Sequence, residues 1–216
     1  MIDPLLNQLR REGFRTILTK TYRIDELFKC LEELVNLYTH ISKQQNIHKE
    51  ASKIIKKAFS LTLSTNSNIR GYLFNLIVKN IFDLEYKNTK INKTVEHNKQ
   101  LREIDVYFED ENYRYVVECK SCVNFQNIQK EIRDWLNKKY TFFINWNKAN
   151  NKNKPKKKLK IYFIISLKDS ERINKIRKKF KKFDHITYYD QSFLDETAKK
   201  YQQKEIRSAL KCFLNI

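Results

Sequence analysis

The sequence has few of the residues that build nucleotide-binding loops or disulfide frameworks. Its 216 residues include two glycines, two prolines and four cysteines. Gly13 and Gly71 are too far apart to form a GxGxxG or GxxxxGK[ST] loop, which excludes dinucleotide-binding and P-loop enzymes. The cysteines are too few and too scattered for a disulfide framework, so we expect a reducing, cytoplasmic environment.

Long apolar runs are also missing. No stretch approaches the ~20 apolar residues that a membrane span requires, and the N-terminus has no apolar segment typical of a signal peptide. We therefore expect no membrane partner. Hydrophobic residues make up 41% of the chain and aromatic residues 13%, which is enough for a folded core.

The charge of the chain is strongly one-sided. Forty-four lysines and arginines against 25 acidic residues give a net charge of +19. Such an excess attracts polyanions, chiefly nucleic acid, although a lysine- and asparagine-rich composition can also reflect an AT-rich genome. Two basic runs are candidate phosphate contacts: Lys156, Lys157 and Lys158, and Arg177, Lys178 and Lys179. The alternative is that both runs are simply solvated surface.

The chain divides into two predicted parts. Apolar residues at three- and four-residue spacing predict helices through residues 1–62, and a polar stretch at 62–68 offers helix N-caps. We predict a helical N-terminal extension over 1–66 and a second domain over 67–216. The extension is a candidate surface for a homo-oligomer or a partner protein.

The second domain is predicted to be mixed α/β. Its pattern indicates a helix, a β-hairpin, a helix, a strand, a helix, a strand and a final helix. Residues 141–146 fit either a helix or a strand, and 148–160 is predicted to be a solvated loop. The predicted bounds are, in the same order, 69–84, 103–108 with 113–120, 126–140, 161–166, 168–182, 185–189 and 191–214.

The hairpin carries the residues with the most specific chemistry. If its turn centres on residues 111–112, Asp105 lies opposite Glu118, and the two β-carbons are ~5 Å apart. Lys120 lies on the same face as Glu118, because side chains alternate along a strand. Two buried carboxylates so close together are costly unless a cation neutralises them, and Mg²⁺ or Mn²⁺ is the natural candidate.

These residues resemble the PD-(D/E)XK nuclease superfamily over about residues 67–190. The resemblance rests on Ile104-Asp105-Val106 followed by Val116-Val117-Glu118-Cys119-Lys120-Ser121. It implies a restriction-endonuclease-like fold, with a mixed sheet flanked by helices. It also implies a metal-dependent nuclease, with DNA as the expected substrate. It also implies that Asp105, Glu118 and the backbone carbonyl of Cys119 hold the metal, and that Lys120 orients the attacking water.

One position departs from the pattern of the superfamily. Its members often carry a glutamate on the first helix, in a Gly-x-x-x-Glu setting, and here Asn75 stands in that place after Gly71. An amide is a weak metal ligand without charge. Two alternatives therefore stay open: a catalytically inactive relative that binds nucleic acid or a protein, and an α/β scaffold that assembles through its N-terminal helices.

Overall fold

The computed structural model describes residues 24–40, 47–61, 67–121, 125–151, 156–167, 169–183 and 185–212. These residues form two compact units, one containing the residues up to Ile77 and from Ala198 onward, the other spanning Val78–Thr197. Residues 1–23 of the predicted extension lie outside the described residues.

The described residues form eight α-helices and five strands. The helices are α1 (Ile24–His40), α2 (Ile47–Leu61), α3 (Ser67–Phe82), α4 (Phe125–Trp135), α5 (Thr141–Asn150), α6 (Ser170–Lys179), α7 (Gln191–Lys200) and α8 (Lys204–Cys212). The strands are β1 (Lys90–His97), β2 (Gln100–Glu109), β3 (Tyr113–Lys120), β4 (Lys158–Ile165) and β5 (Ile186–Tyr189).

In the first unit, α2 packs against both α1 and α8. The apolar faces of these helices are buried, and two polar contacts join α2 to α8: Lys49 to Glu205 at 3.7 Å, and Lys56 Nζ to Ser208 Oγ at 3.0 Å. The C-terminal helix α8 thus belongs to the same compact unit as the N-terminal helices. The predicted division between residues 66 and 67 places this helix in the second domain instead. The role of this unit in assembly stays a prediction.

The second unit contains a five-stranded mixed sheet in the order β1-β2-β3-β4-β5. The β1/β2 and β2/β3 pairs are antiparallel, and the β3/β4 and β4/β5 pairs are parallel. The predicted mixed α/β class is therefore confirmed. The finer assignment to a restriction-endonuclease-like fold stays a prediction.

Four details of the sheet and its helices differ from the predicted elements. The final helix predicted over 191–214 is divided into α7 and α8 at residues 201–203, where Gln202 has a φ of 56°. Strand β1 was not predicted; Asn98 and Lys99, with φ of 50° and 61°, form the two-residue turn that joins it to β2. The ambiguous segment 141–146 is helical and belongs to α5. Strand β4 begins at Lys158, inside the predicted loop.

Hydrophobic side chains cover both faces of the sheet. Helices α4, α5 and α6 contribute to one hydrophobic cluster with residues such as Val116, Ile161 and Phe163. The other face carries an aromatic cluster, in which the ring of Phe108 lies 4.7 Å from that of Phe82 and 4.4 Å from that of Tyr115. Between α4 and α5, residues Leu136–Tyr140 form a π-helical turn, so that the three segments run on without a loop.

Candidate active site

The turn between β2 and β3 fixes which residues face each other across the hairpin. Oδ1 of Asp110 accepts hydrogen bonds from the backbone N–H groups of Asn112 and Tyr113, at 2.8 and 2.7 Å. Oδ2 of the same carboxylate accepts one from the hydroxyl of Tyr115 at 2.7 Å. With the turn held in this way, the paired residues run from Glu109–Arg114 to Val106–Val117. The next pair in this register is Asp105 and Glu118.

At Asp105, the residue before Val106 on β2, a side-chain carboxylate rather than a backbone carbonyl accepts a hydrogen bond from β3. Oδ2 of Asp105 accepts a 2.7 Å hydrogen bond from the backbone N–H of Cys119. On the other side of β3, the carbonyl of Lys120 accepts from the N–H of Ser166 in the chain following β4. Because neighbouring residues of a strand direct their backbone groups to opposite sides, the carbonyl of Cys119 faces the β2 side, as its N–H does.

Glu118 is the most enclosed member of the site, with a relative exposure of 4%. Its Oε1 accepts a hydrogen bond from Lys120 Nζ at 2.8 Å, and its Oε2 accepts one from the indole N–H of Trp135 at 2.7 Å. Lys139 Nζ lies 3.7 Å from Oε2, and Lys120 also lies 3.5 Å from a carboxylate oxygen of Glu131. Two cations and an indole thus compensate the charge of this buried carboxylate.

The electrostatics of the two carboxylates are linked. Burial, and then the negative charge of Glu118, raise the pKa of Asp105 to about 7, against the opposing effect of the Cys119 N–H and Lys120. Burial alone would lower the pKa of Lys120, but the charge and hydrogen bond of Glu118 outweigh it and raise that pKa above its usual value. Lys120 therefore remains a cation, while Asp105 is poised to gain or lose a proton near neutrality.

The sequence did not single out three of these groups: Glu131, Trp135 and Lys139. They follow one another at intervals of four residues, a spacing that aligns side chains on one side of a helix. A polar stripe at this spacing directly after the second hairpin strand is the signal that would have found them. This stripe is hard to recognise in the sequence, because Trp135 also belongs to the apolar stripe of α4, with Ile128 and Ile132.

The predicted metal ligand Asn75 lies in α3 and is buried. It belongs to the first compact unit, whereas the hairpin belongs to the second. Its role as a ligand stays a prediction. The structure brings together Asp105, Glu118 and Lys120, with the backbone of Cys119 beside them.

The predicted phosphate contacts lie elsewhere. Lys158 pairs with Tyr113 at the opening of the parallel β3/β4 ladder, whereas Glu118 pairs with Phe163, five positions further on. At ~3.3 Å per residue, the basic run at 156–158 is ~17 Å from the carboxylates.

The second basic run is largely engaged in contacts within the fold. Arg177 donates to the carbonyl of Tyr188 through Nε at 3.2 Å and Nη2 at 2.8 Å, while Lys179 donates to Oε1 of Gln129 at 2.5 Å. Lys178 is exposed. Neither run forms part of the carboxylate site, the name we give to Asp105, Glu118, Lys120 and the backbone of Cys119.

The donor set of the site suits a hard cation. Two carboxylates and a carbonyl oxygen are ligands of the type that Mg²⁺ and Mn²⁺ prefer. A bound cation would also offset the burial and the repulsion from Glu118 that together raise the pKa of Asp105. No group of three or more histidine, cysteine, aspartate or glutamate side chains at metal-binding distance occurs in the described part of the chain. Two carboxylates still suffice for Mg²⁺, which commonly retains water and adds substrate phosphate as further ligands.

Comparisons with protein-family models, with curated proteins and with solved structures gave no match. Among the helices of the described ranges, none combines the length and the apolar character needed to cross a membrane.

Proposed function

We propose that the protein is a metal-dependent nuclease that hydrolyses phosphodiester bonds, with DNA as its substrate and a fold of the restriction-endonuclease type. The observation that carries the proposal is the convergence of Asp105, from the middle of β2, with Glu118 and Lys120, from the C-terminal end of the adjacent β3. The net charge of +19 supports a polyanionic substrate. The resemblance of the hairpin to PD-(D/E)XK nucleases supports the same reaction.

In this proposal the chain's own residues have separate tasks. Asp105, Glu118 and the carbonyl of Cys119 would hold Mg²⁺ or Mn²⁺, which when bound supplies Lewis acidity and an activated water. The ammonium group of Lys120 stabilises the negative charge that builds on the phosphate in the transition state. Trp135 and Lys139 hold Glu118 in place from the helical side.

A second candidate is a catalytically inactive domain that binds nucleic acid. It is favoured by the observation that both oxygens of Glu118 already have donors, Lys120 on Oε1 and Trp135 on Oε2. If these contacts persist, the carboxylate is a structural anion held by its neighbours. The two candidates differ in whether Glu118 exchanges a protein donor for a cation.

The decisive experiment measures cleavage of supercoiled plasmid, linear duplex DNA, single-stranded DNA and RNA by the full chain. We expect cleavage of DNA with Mg²⁺ or Mn²⁺, none with EDTA, and loss of cleavage in Asp105→Asn and in Glu118→Gln. Glu111→Gln is the matched control, because Glu111 is an exposed carboxylate of the same hairpin. Calorimetric titration with Mn²⁺ should show binding to the wild type and to the control only.

An inert wild type that binds no Mn²⁺ would reject the nuclease and leave the inactive binding domain as the better interpretation. Cleavage of RNA without cleavage of DNA would reject the substrate while retaining the reaction.

A further inference from the structure

A second candidate site lies at the opposite end of the sheet, where β3, β4 and β5 begin. A cavity of about 590 Å³ opens there, beside the end of α5. Five lysines line it together with His185, and we call the five lysines the lysine pocket: Lys148, Lys156, Lys157, Lys158 and Lys160. Among the described residues that line the cavity, none is acidic.

The segment that carries three of these lysines is held by a polar network. The buried guanidinium of Arg114 donates through Nη1 to Oδ1 of Asn147 at 2.8 Å and to Oδ1 of Asn151 at 2.7 Å. The amide Nδ2 groups of both asparagines donate in turn to the carbonyl of Lys157, at 3.1 and 2.9 Å. The N–H of Lys157 donates back to Asn151 at 3.2 Å. The backbone of the lysine run is therefore fixed rather than left as a solvated loop.

The charges of the pocket are only partly compensated. Lys157 forms an ion pair with Glu109 at 2.7 Å, and the ammonium of Lys160 lies 3.9 Å from the ring centre of Tyr113. Lys148, Lys156 and Lys158 are exposed, and no carboxylate in the described ranges pairs with them. A fixed backbone thus holds like charges around one cavity, and a polyvalent anion would relieve their mutual repulsion.

We propose that the lysine pocket is a binding site for phosphate groups, separate from the carboxylate site and independent of a metal ion. A phosphate group suits it, because lysines bind phosphate as point charges and the cavity admits more than one such group. The phosphate can come from the backbone of a nucleic acid or from a free polyphosphate. The two sources share this chemistry and are separated by the choice of probe.

The test compares Lys156→Ala/Lys158→Ala with the control Lys199→Ala/Lys211→Ala, which removes the same charge from exposed positions outside the cavity. Binding of a fluorescein-labelled 20-base-pair duplex is measured by anisotropy in EDTA over a salt series, and binding of pyrophosphate by calorimetry. For duplex DNA, the slope of log affinity against log salt should become shallower by about 0.9 for each phosphate that the variant no longer neutralises. We expect a reduction of about 1–2 for the pocket variant and a smaller change for the control.

The two probes distinguish the sources. A reduced slope with DNA and no pyrophosphate binding by the wild type identifies the nucleic-acid backbone as the ligand. Pyrophosphate binding that the pocket variant loses and the control keeps identifies a free polyphosphate. Equal weakening in both variants, or no binding of either probe to the wild type, overturns the proposal.

Failure of this proposal is distinguishable from failure of the proposed nuclease. Asp105→Asn should retain both kinds of phosphate binding, because Asp105 is not part of the pocket. Metal-dependent cleavage in the pocket variant would in turn show an intact carboxylate site, whatever the anion measurements give.

Discussion

The indole N–H of Trp135 donates a 2.7 Å hydrogen bond to Oε2 of Glu118. The same ring stacks on Phe143 at 5.6 Å and meets Phe163 edge-on at 5.0 Å. One side chain therefore belongs both to the hydrophobic core under the sheet and to the carboxylate site. The position of Glu118 is coupled through it to the packing of α4 and α5.

Replacing this tryptophan should reveal the strength of the coupling. We expect Trp135→Phe to lower the free energy of unfolding by about 1.5–3 kcal/mol, because the variant loses a hydrogen bond to a charged group. The smaller ring lowers it further, through lost packing. Trp146→Phe is the matched control for ring volume, because Trp146 is buried in the same core. Urea denaturation of both variants measures the difference. Equal destabilisation would mean that the indole donor contributes nothing.

The charge of Asp105 should make the stability of the metal-free protein depend on pH. The pKa of Asp105 is raised from its ordinary 3.8 to about 7 in the folded chain, so the folded state retains a proton that the unfolded state releases. The contribution of Asp105 to stability therefore declines as pH rises from about 4 to 7.

Asp105→Asn should remove this decline and increase stability at pH 8, because Asn keeps an acceptor for the Cys119 N–H without the repulsion. Denaturation in EDTA at pH 5.5 and pH 8 tests the prediction. A variant that is less stable than the wild type at pH 8 would contradict it.

If the site is catalytic, the two lysines that contact Glu118 should differ in their effect on rate. Lys120→Met should lower the rate of metal-dependent DNA cleavage by a factor of about 10²–10³, since it removes a group that stabilises charge in the transition state. Lys139→Met removes a cation that lies 3.7 Å from the same carboxylate, and it should lower the cleavage rate much less. Single-turnover nicking rates measure both. Similar losses in the two variants would show that Lys120 acts only by compensating Glu118.

The β2–β3 turn should control the register that sets up the site. Asp110→Ala removes three hydrogen bonds within the hairpin, to Asn112, Tyr113 and Tyr115, and should lower the free energy of unfolding by about 2 kcal/mol or more. Glu111→Ala, at the exposed neighbouring position, should stay within about 0.5 kcal/mol of the wild type. Thermal or urea unfolding of the two variants provides the comparison, and equal effects would rule out a structural role for the Asp110 carboxylate.

The sequence alone predicted the antiparallel pair of β2 and β3 near the centre of the sheet. Alternating apolar residues marked β2 and β3, and the acidic turn fixed the register that places Asp105 beside Glu118. Strand β1 was missed because it carries few apolar side chains: Val95 is its one buried hydrophobic residue, and its turn residues are Asn and Lys rather than the more recognisable Asn-Gly.

Tertiary contacts determine the rest. Lys158 and Lys160 have the composition of a solvated loop, yet the parallel pairing with Tyr113 and Tyr115 draws them into β4. Likewise, the helical repeat showed that Trp135 is apolar and buried, but nothing in that repeat indicates that its indole N–H reaches a carboxylate on β3. Such a contact depends on how α4 lies on the sheet, which spacing along one helix does not specify.

The π-helical turn at Leu136–Tyr140 has a consequence for the phase of the helices on either side of it. An α-helix advances by about 100° per residue, so a single residue added or removed between two helical segments rotates one against the other by that angle. A π turn accommodates one extra residue without breaking the chain of helical hydrogen bonds. Deleting one residue from 136–140 would let α4 and α5 merge into a regular helix, and Phe143 and Trp146 would rotate away from the core. The insertion therefore sets the rotational alignment of the core face of α5 with that of α4.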